Sequence, residues 1–267
     1  GRVIIVQDRR IKLAMVQMGA AEGNADYNME KIRSITCAQK GKGVDIICFP
    51  ELCVRGYDFE KTVAAPIDEK KFFAQLAAEN EVAIVAGITD EREGKHFDTV
   101  CFWDENGNML HHFDKIHLWG EEREFFEPGS RIEIFEYRGW RIGLLVCGDL
   151  GFPELSRIMA AKGAQLLIYS SAWPHPYREF WSTMLASRAA ENQVYVAGIN
   201  RAKYESDRCG FSTVVDPSGQ VISCLDNDKE GIKEVELSTY VVEQRQEEIP
   251  YLKYRMPELY ADICKRF

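Results

Sequence analysis

No stretch of this sequence approaches the roughly 20 consecutive apolar residues that span a bilayer. The longest candidates, around Val82–Ile88 and Ile142–Val146, are strand-sized. A membrane partner is therefore not expected. The opening run GRVIIVQDRR is too short and too charged for a secretory signal, so a cytoplasmic location is the expectation. There is no dense Lys/Arg run either. Lys and Arg number 33 against 42 Asp and Glu, a net charge of -9. A nucleic-acid partner needs basic patches to neutralise phosphates, and none is present; the acidity reads as a solubility feature. No two cysteines form a CxxC pair. The eight are Cys37, Cys48, Cys53, Cys101, Cys147, Cys209, Cys224 and Cys264. Scattered through a long chain, they argue for reduced, mostly inert thiols and not for a disulfide framework.

Several reaction classes lack their signatures. No G-x-G-x-x-G opens a helix after a strand, and no Walker loop is present, so nucleotide binding has no support. No serine lies in G-x-S-x-G or S-x-x-K. The five histidines form neither HExxH nor zinc-finger spacing with cysteine. No metal and no cofactor are expected. His111 and His112 read as exposed polar residues.

What remains is a hydrophobic fraction of 46% over 267 residues, enough for a large core. Strand-like runs alternate with helical segments. Ile11–Gln17, Val44–Phe49 and Val82–Thr89 read as strands, with helices over Asp26–Lys40 and Lys70–Asn80. Phe97–Asp104 alternates and leads through Glu105-Asn106-Gly107-Asn108 into a hairpin. After a loop-like middle come strands at Arg141–Val146, Gln165–Tyr169 and Val194–Ile199, with helices at Phe152–Lys162 and Tyr177–Asn192. A second hairpin joins Phe211–Val215 to Val221–Cys224, and Ile232–Leu237 is a last strand. This βα alternation predicts a layered α/β fold. No Gly/Ser-rich linker interrupts it, so residues 1–267 are expected to form a single domain with its core at about 11–260.

Three segments place a reactive residue directly after an apolar run. In VDIICFPE, Glu51 follows a buried strand; partial desolvation would raise its pKa and suit it to proton transfer. A turn-capping or solvated glutamate explains the position equally well. In RIGLLVCGD, Cys147 is followed by Gly148. A sharp turn there exposes the thiol and frees the next backbone N–H for a developing oxyanion. Taken alone, a buried structural cysteine is the better reading. In LHHFDKIHLWGEEREFFEPG, Lys115 precedes Glu121, Glu122 and Glu124. Alone, that cluster reads as a solvated face.

Together the three segments resemble the nitrilase superfamily of carbon–nitrogen hydrolases, which carries Glu, Lys and Cys in this chain order. Phe49-Pro50-Glu51, running on to Gly56-Tyr57, resembles the glutamate motif. Asp114-Lys115-Ile116-His117-Leu118 resembles the lysine motif. Val146-Cys147-Gly148-Asp149, with Phe152-Pro153-Glu154 behind it, resembles the nucleophile motif. Phe126-Glu127-Pro128-Gly129, Arg188–Asn192 and Arg255–Tyr260 agree with it, so the likeness covers about Ile11 to Tyr260. It implies a four-layer α-β-β-α sandwich, frequent homodimers or larger assemblies, and Glu51 as base, Lys115 as oxyanion stabiliser and Cys147 as nucleophile. It also implies a second glutamate six residues before the proline of the Pro-Gly pair. That is Glu122, with Glu121 and Glu124 as alternatives.

The implied reaction is hydrolysis of a small linear amide or N-carbamoyl compound through a Cys147 thioester, releasing ammonia or an amine. Trp173 and Tyr177, in SSAWPHPY, are candidate pocket walls, and simple core packing accounts for them equally well. Gly148 stands where relatives commonly have an aromatic residue or Asn, which opens space near the scissile carbon. Leu150 and Gly151 stand where carboxylate-binding carbamoylases commonly place arginine. Arg55 is a substitute cation or a surface residue. Substrates with an α-carboxylate are therefore disfavoured. Two alternatives are a true nitrilase, whose cysteine is commonly followed by Trp-Glu and not Gly-Asp, and an inactive binding module of the same fold.

Overall fold

A computed structural model describes residues 8–64 and 67–266. The first sheet is built from β1 (Arg10–Gln17), β2 (Ile46–Cys48), β3 (Ala83–Arg92), β4 (Lys95–Trp103) and β5 (Met109–Asp114). The second takes β6 (Phe135–Tyr137), β7 (Trp140–Val146), β8 (Leu166–Ser171), β9 (Tyr195–Asn200), β10 (Thr213–Val215) and β11 (Val221–Cys224). The last strand, β12 (Gly231–Ser238), returns to pair with β1. The strand orders are β12-β1-β2-β3-β4-β5 and β11-β10-β9-β8-β7-β6. In each sheet three central strands run parallel, β1-β2-β3 and β7-β8-β9, and antiparallel hairpins extend the edges. Helices α1 (Ala25–Gln39), α2 (Phe59–Ala64), α3 (Glu69–Asn80), α4 (Glu122–Phe125), α5 (Pro153–Ala161), α6 (Arg178–Asn192) and α7 (Thr239–Glu248) complete the described chain.

The strand period of two explains how the layers form. In β1, Leu13 and Met15 join the core between the sheets, while Ala14 and Val16 face the α1/α3 side with Ile32, Phe73 and Leu76. The same alternation divides β4: Val100 and Phe102 point inward, Cys101 and Trp103 outward. On the other sheet, Leu155 and Met159 of α5 and Trp181 and Leu185 of α6 close the core. The result is the α-β-β-α sandwich. Each buried Leu, Ile or Phe contributes about 1.5–3 kcal/mol, against about 0–1 kcal/mol for an exposed ion pair. The inter-sheet core therefore dominates stability. No helix among the described residues is long and apolar enough to cross a membrane.

Three local expectations need correction. The strand over Val82–Thr89 runs on to Arg92 and turns back at Glu93 and Gly94, whose φ values are 53° and 75°. Positive φ at both central residues is the hairpin geometry that matches strand twist. The segment from Leu110 to Gly129 is not irregular throughout: it contains the end of β5 and the short helix α4. His111 is not an exposed polar residue, although His112 is exposed.

The His111 ring stacks on Phe135 at 4.9 Å and 18°. Its Nε2 is buried without a partner among the described residues. Burial, then the neighbouring His112, lowers its pKa to about 4 from an ordinary value of 6.5. The unfolded chain thus binds a proton that the folded chain refuses. The contribution of neutral His111 is present above pH 6.5 and lost as pH falls towards 4. His111→Gln should flatten the loss of stability between pH 7 and 5, measured as the shift in urea midpoint. Parallel shifts in parent and variant would show that another group governs acid sensitivity.

Candidate active site

The C-terminal ends of β2, β5 and β7 meet at one point, the position where α/β sheets place reactive groups. After β2, Phe49 N–H donates to the Val85 carbonyl and Gly87 N–H to the Pro50 carbonyl, so the Glu51 loop lies flat on β3. A Cβ at Gly87 would sit 2.5 Å from Glu51 Cα. Glycine is therefore required for the close approach. Ser170 on β8 donates to the Phe49 carbonyl at 3.0 Å, tying the loop to the opposite sheet.

Lys115 follows β5 directly and is 1% exposed. Its backbone is clamped by Asp98 O at 2.8 Å and Gly129 N at 2.9 Å. Its Nζ donates to Glu51 Oε1 at 2.8 Å and to Glu122 Oε1 at 2.7 Å. The other oxygen of Glu51 accepts from Ala172 N at 2.8 Å, and the other oxygen of Glu122 from Trp119 N at 2.7 Å. Glu121 and Glu124 are exposed, so Glu122 is the glutamate that the α4 segment turns inward.

Cys147 follows β7 with φ at +38°, a region that favours glycine. Strain of this kind persists only where the surroundings hold it. Here Asp149, two residues on, accepts from His117 N at 3.0 Å, from Ile116 N at 3.4 Å and, through a 2.7 Å contact, meets His117 Nδ1. The cysteine turn is thereby fastened to the lysine loop. A Cβ at Gly148 would lie 3.8 Å from Lys115 Cε and 3.5 Å from the His117 carbonyl. The missing side chain leaves room for about a methyl group beside the lysine stem.

Charge states follow from these contacts. Burial pushes the Glu51 carboxyl up, but the Lys115 ammonium and hydrogen bonds from Asp98, Lys115 and Tyr57 more than reverse it, and its pKa lies well below the ordinary value. The sequence expectation of a raised pKa is corrected: the partners outweigh desolvation. Burial, then the Glu51 charge, drives the Cys147 thiol well above its ordinary value. Burial opposes the charge on Lys115, yet Glu51, Cys147, Asp98 and Glu122 hold it well above the usual range. The resting state is a neutral thiol, an ionised Glu51 and an ammonium. Carboxylate oxygens of Glu51, Asp98 and Glu122 lie within 4.8 Å of one another. Such a trio can ligate a metal ion, but the cation already between them is the Lys115 ammonium.

The other sequence candidates divide. Trp173 follows the Ala172 amide that holds Glu51, and its N–H donates to Asn200 Oδ1 at 2.7 Å. Its indole N–H donates to the Tyr177 carbonyl at 2.8 Å. Tyr177 meets it through this backbone carbonyl, and its own ring is half exposed beside Phe180. Arg55 is neither a surface residue nor a site cation: it is buried against Glu69 at 2.5 Å, with Nη2 donating to the Ile67 carbonyl at 2.7 Å. Two guanidinium groups do approach Tyr57: Arg208, which donates to the Ala172 carbonyl at 2.8 Å and lies 4.6 Å over the ring, and the buried Arg201, 5.7 Å over it. Sequence reasoning missed Asp98 and Ala172, and quoted Tyr57 and Asp149 only as motif letters. Asp98 had a signal: strand alternation puts it on the same face as Val100 and Phe102.

The family model for carbon-nitrogen hydrolases matches residues 12–246. A Schizosaccharomyces pombe protein named probable nitrilase is 30% identical, over 95% of this chain and 98% of its own. The Escherichia coli omega-amidase YafV is 32% identical, over 78% and 83%. Among solved structures, an amidase mutant from Nesterenkonia sp. AN1, which shows Michael addition of acrylamide at its active site cysteine, superposes with a TM-score of 0.85 at 26% identity, over 95% and 99%.

Proposed function

Because this chain belongs to the carbon–nitrogen hydrolase family, we propose that it hydrolyses the C–N bond of small linear amides or N-carbamoyl compounds through a thioester on Cys147. The observation that carries the proposal is the buried Glu51 carboxyl, held by Lys115 Nζ and the Ala172 amide at 2.8 Å each, in one cluster with a Cys147 thiol on a strained turn. A general base must be ionised to accept a proton, and the Lys115 contact favours that state.

Glu51 takes the Cys147 proton as sulfur attacks the carbonyl carbon. The carbonyl π pair becomes an oxyanion, met by Lys115 Nζ and the Gly148 N–H. One such donor is worth about 10²–10³ in rate. Collapse breaks the C–N bond, and Glu51 passes its proton to the departing ammonia or amine. Water then gives a proton to Glu51 and its oxygen to the thioester, and the acid leaves as Cys147 recovers the proton. Glu122 fixes Lys115 and, in this reading, faces the substrate amide. The relatives named amidase and omega-amidase support an amide as substrate. Assembly into homo-oligomers belongs to the same proposal, and exposed Tyr254, Leu259 and Ile263 provide apolar surface for it.

The test is a panel of small amides, N-carbamoyl compounds and nitriles assayed for ammonia, with intact-mass trapping of the acylated protein. Ammonia from amides and a trapped acyl group on Cys147 are expected, both lost in Glu51→Gln. Ammonia from nitriles alone would favour the nitrilase alternative. Neither ammonia nor an adduct from any compound would favour a binding module.

A further inference from the structure

Three acids surround one ammonium in this site. If all were ionised, two negative charges would stand uncompensated in a buried cluster, a state that costs several kcal/mol per ion. The cluster must therefore hold a proton, and the hydrogen bonds show where. Both Glu51 oxygens accept from N–H donors, and so do both Glu122 oxygens. Asp98 differs. Its side chain is fully buried, and neither oxygen receives a hydrogen bond from any donor among the described residues. Lys115 Nζ stands off at 3.6 Å. An Asp98 oxygen nevertheless lies within 4.8 Å of an oxygen of Glu51 and one of Glu122. Two buried carboxyl groups this close, one of them with no donor, are relieved when one carries a proton and donates it to the other.

We infer that Asp98 is a neutral carboxylic acid in the resting protein and donates a hydrogen bond to Glu51, positioning that base against Lys115. The groups facing it are Glu51 and Tyr57 from the loop after β2, Lys115 after β5 and Glu122 on α4. Burial, then the Glu51 charge, pushes the Asp98 carboxyl well above its ordinary range, with Lys115 opposing. The strand pattern agrees: Asp98 is on the inward face of β4 with Val100 and Phe102, where a neutral acid is tolerated and a bare charge is not. The arrangement gives Glu51 a donor that keeps it ionised without adding negative charge beside a developing oxyanion. The positioning role rests on the proposal that Glu51 is the base; the proton on Asp98 does not.

The experiment compares the whole parent chain with Asp98→Asn and Asp98→Ala by infrared spectroscopy and by kcat across pH. The parent-minus-Asn difference spectrum at neutral pH should contain the carbonyl band of a neutral acid, shifted in D₂O. Asparagine keeps a neutral donor of the same shape, so Asp98→Asn should stay within about tenfold of the parent kcat. Asp98→Ala should lose about 10²-fold by loosening Glu51. Carboxylate bands in place of the acid band would overturn the proton assignment. So would an Asn variant as impaired as Ala with a displaced pH profile. The spectrum needs no substrate. An acid band in a parent that hydrolyses nothing would therefore uphold the protonated Asp98 and overturn the hydrolase proposal alone.

Discussion

Cys147→Ala is expected to abolish turnover, with kcat falling by about 10⁶-fold, the loss that follows removal of a nucleophile whose partners act as a unit. The same substitution should leave the unfolding midpoint near that of the parent. Cys147 is small, and alanine must adopt the same left-handed φ of +38°. Cys147→Gly separates the two effects further. It is equally inactive, but it releases backbone strain of about 1 kcal/mol, so it should unfold at a higher urea concentration than Cys147→Ala. Alkylation is to be read by peptide mapping, because Cys37 and Cys264 are exposed and react in any variant. Cys48 and Cys101 are buried, and burial drives both thiols up, so they should stay unlabelled in the folded chain. A Cys147→Ala protein that hydrolysed an amide at the parent rate would remove the nucleophile from the proposal.

The site residues are legible in the sequence through the family motifs around them in chain order; taken singly, Glu51 fits a turn cap as well as a base, and Cys147 and Lys115 fit a structural thiol and a solvated face better. Their place at strand ends follows the rule that α/β sheets open reactive groups there. Glu122 was favoured over Glu121 and Glu124 by what the family resemblance implies, and α4 is what turns it inward. What could not be read depends on partners distant in the chain. The sign of the Glu51 shift is set first by Lys115, 64 residues away, and then by Asp98 on another strand. Desolvation was the only part visible locally, and it points the wrong way. The β3–β4 hairpin was hidden because its turn, Arg92-Glu93-Gly94-Lys95, is charged and lacks the Asn-Gly or Asp-Gly signal. Asp98 was passed over for the opposite reason: it lies in a well-patterned strand, where one acid on an apolar face is easily counted as part of the alternation.

Lys115→Met should have the second largest effect, and its pH dependence is the informative part. The methionine stem fills the same buried space, so the change removes the ammonium and little else. Glu51 and Glu122 each lose their shortest charged contact, at 2.8 Å and 2.7 Å. Removing one partner of a buried pair costs about 3–5 kcal/mol. The stranded carboxyls can avoid part of that cost by taking up protons, which raises their folded pKa values above the unfolded ones. A carboxyl with a raised folded pKa is most stabilising at low pH and loses that contribution as pH rises through the folded value. The variant should therefore be closer to the parent in urea stability at pH 5 than at pH 8. In the parent the sign for Glu51 is reversed: its pKa is depressed, so its contribution is held above the unfolded value and lost in acid. Turnover in Lys115→Met should fall by at least about 10³-fold, because the oxyanion loses its cation and a protonated Glu51 cannot accept the thiol proton. An equal stability deficit at both pH values would show that Lys115 acts there through packing and not charge. Near-parent ammonia release would show that the ammonium does not meet the oxyanion.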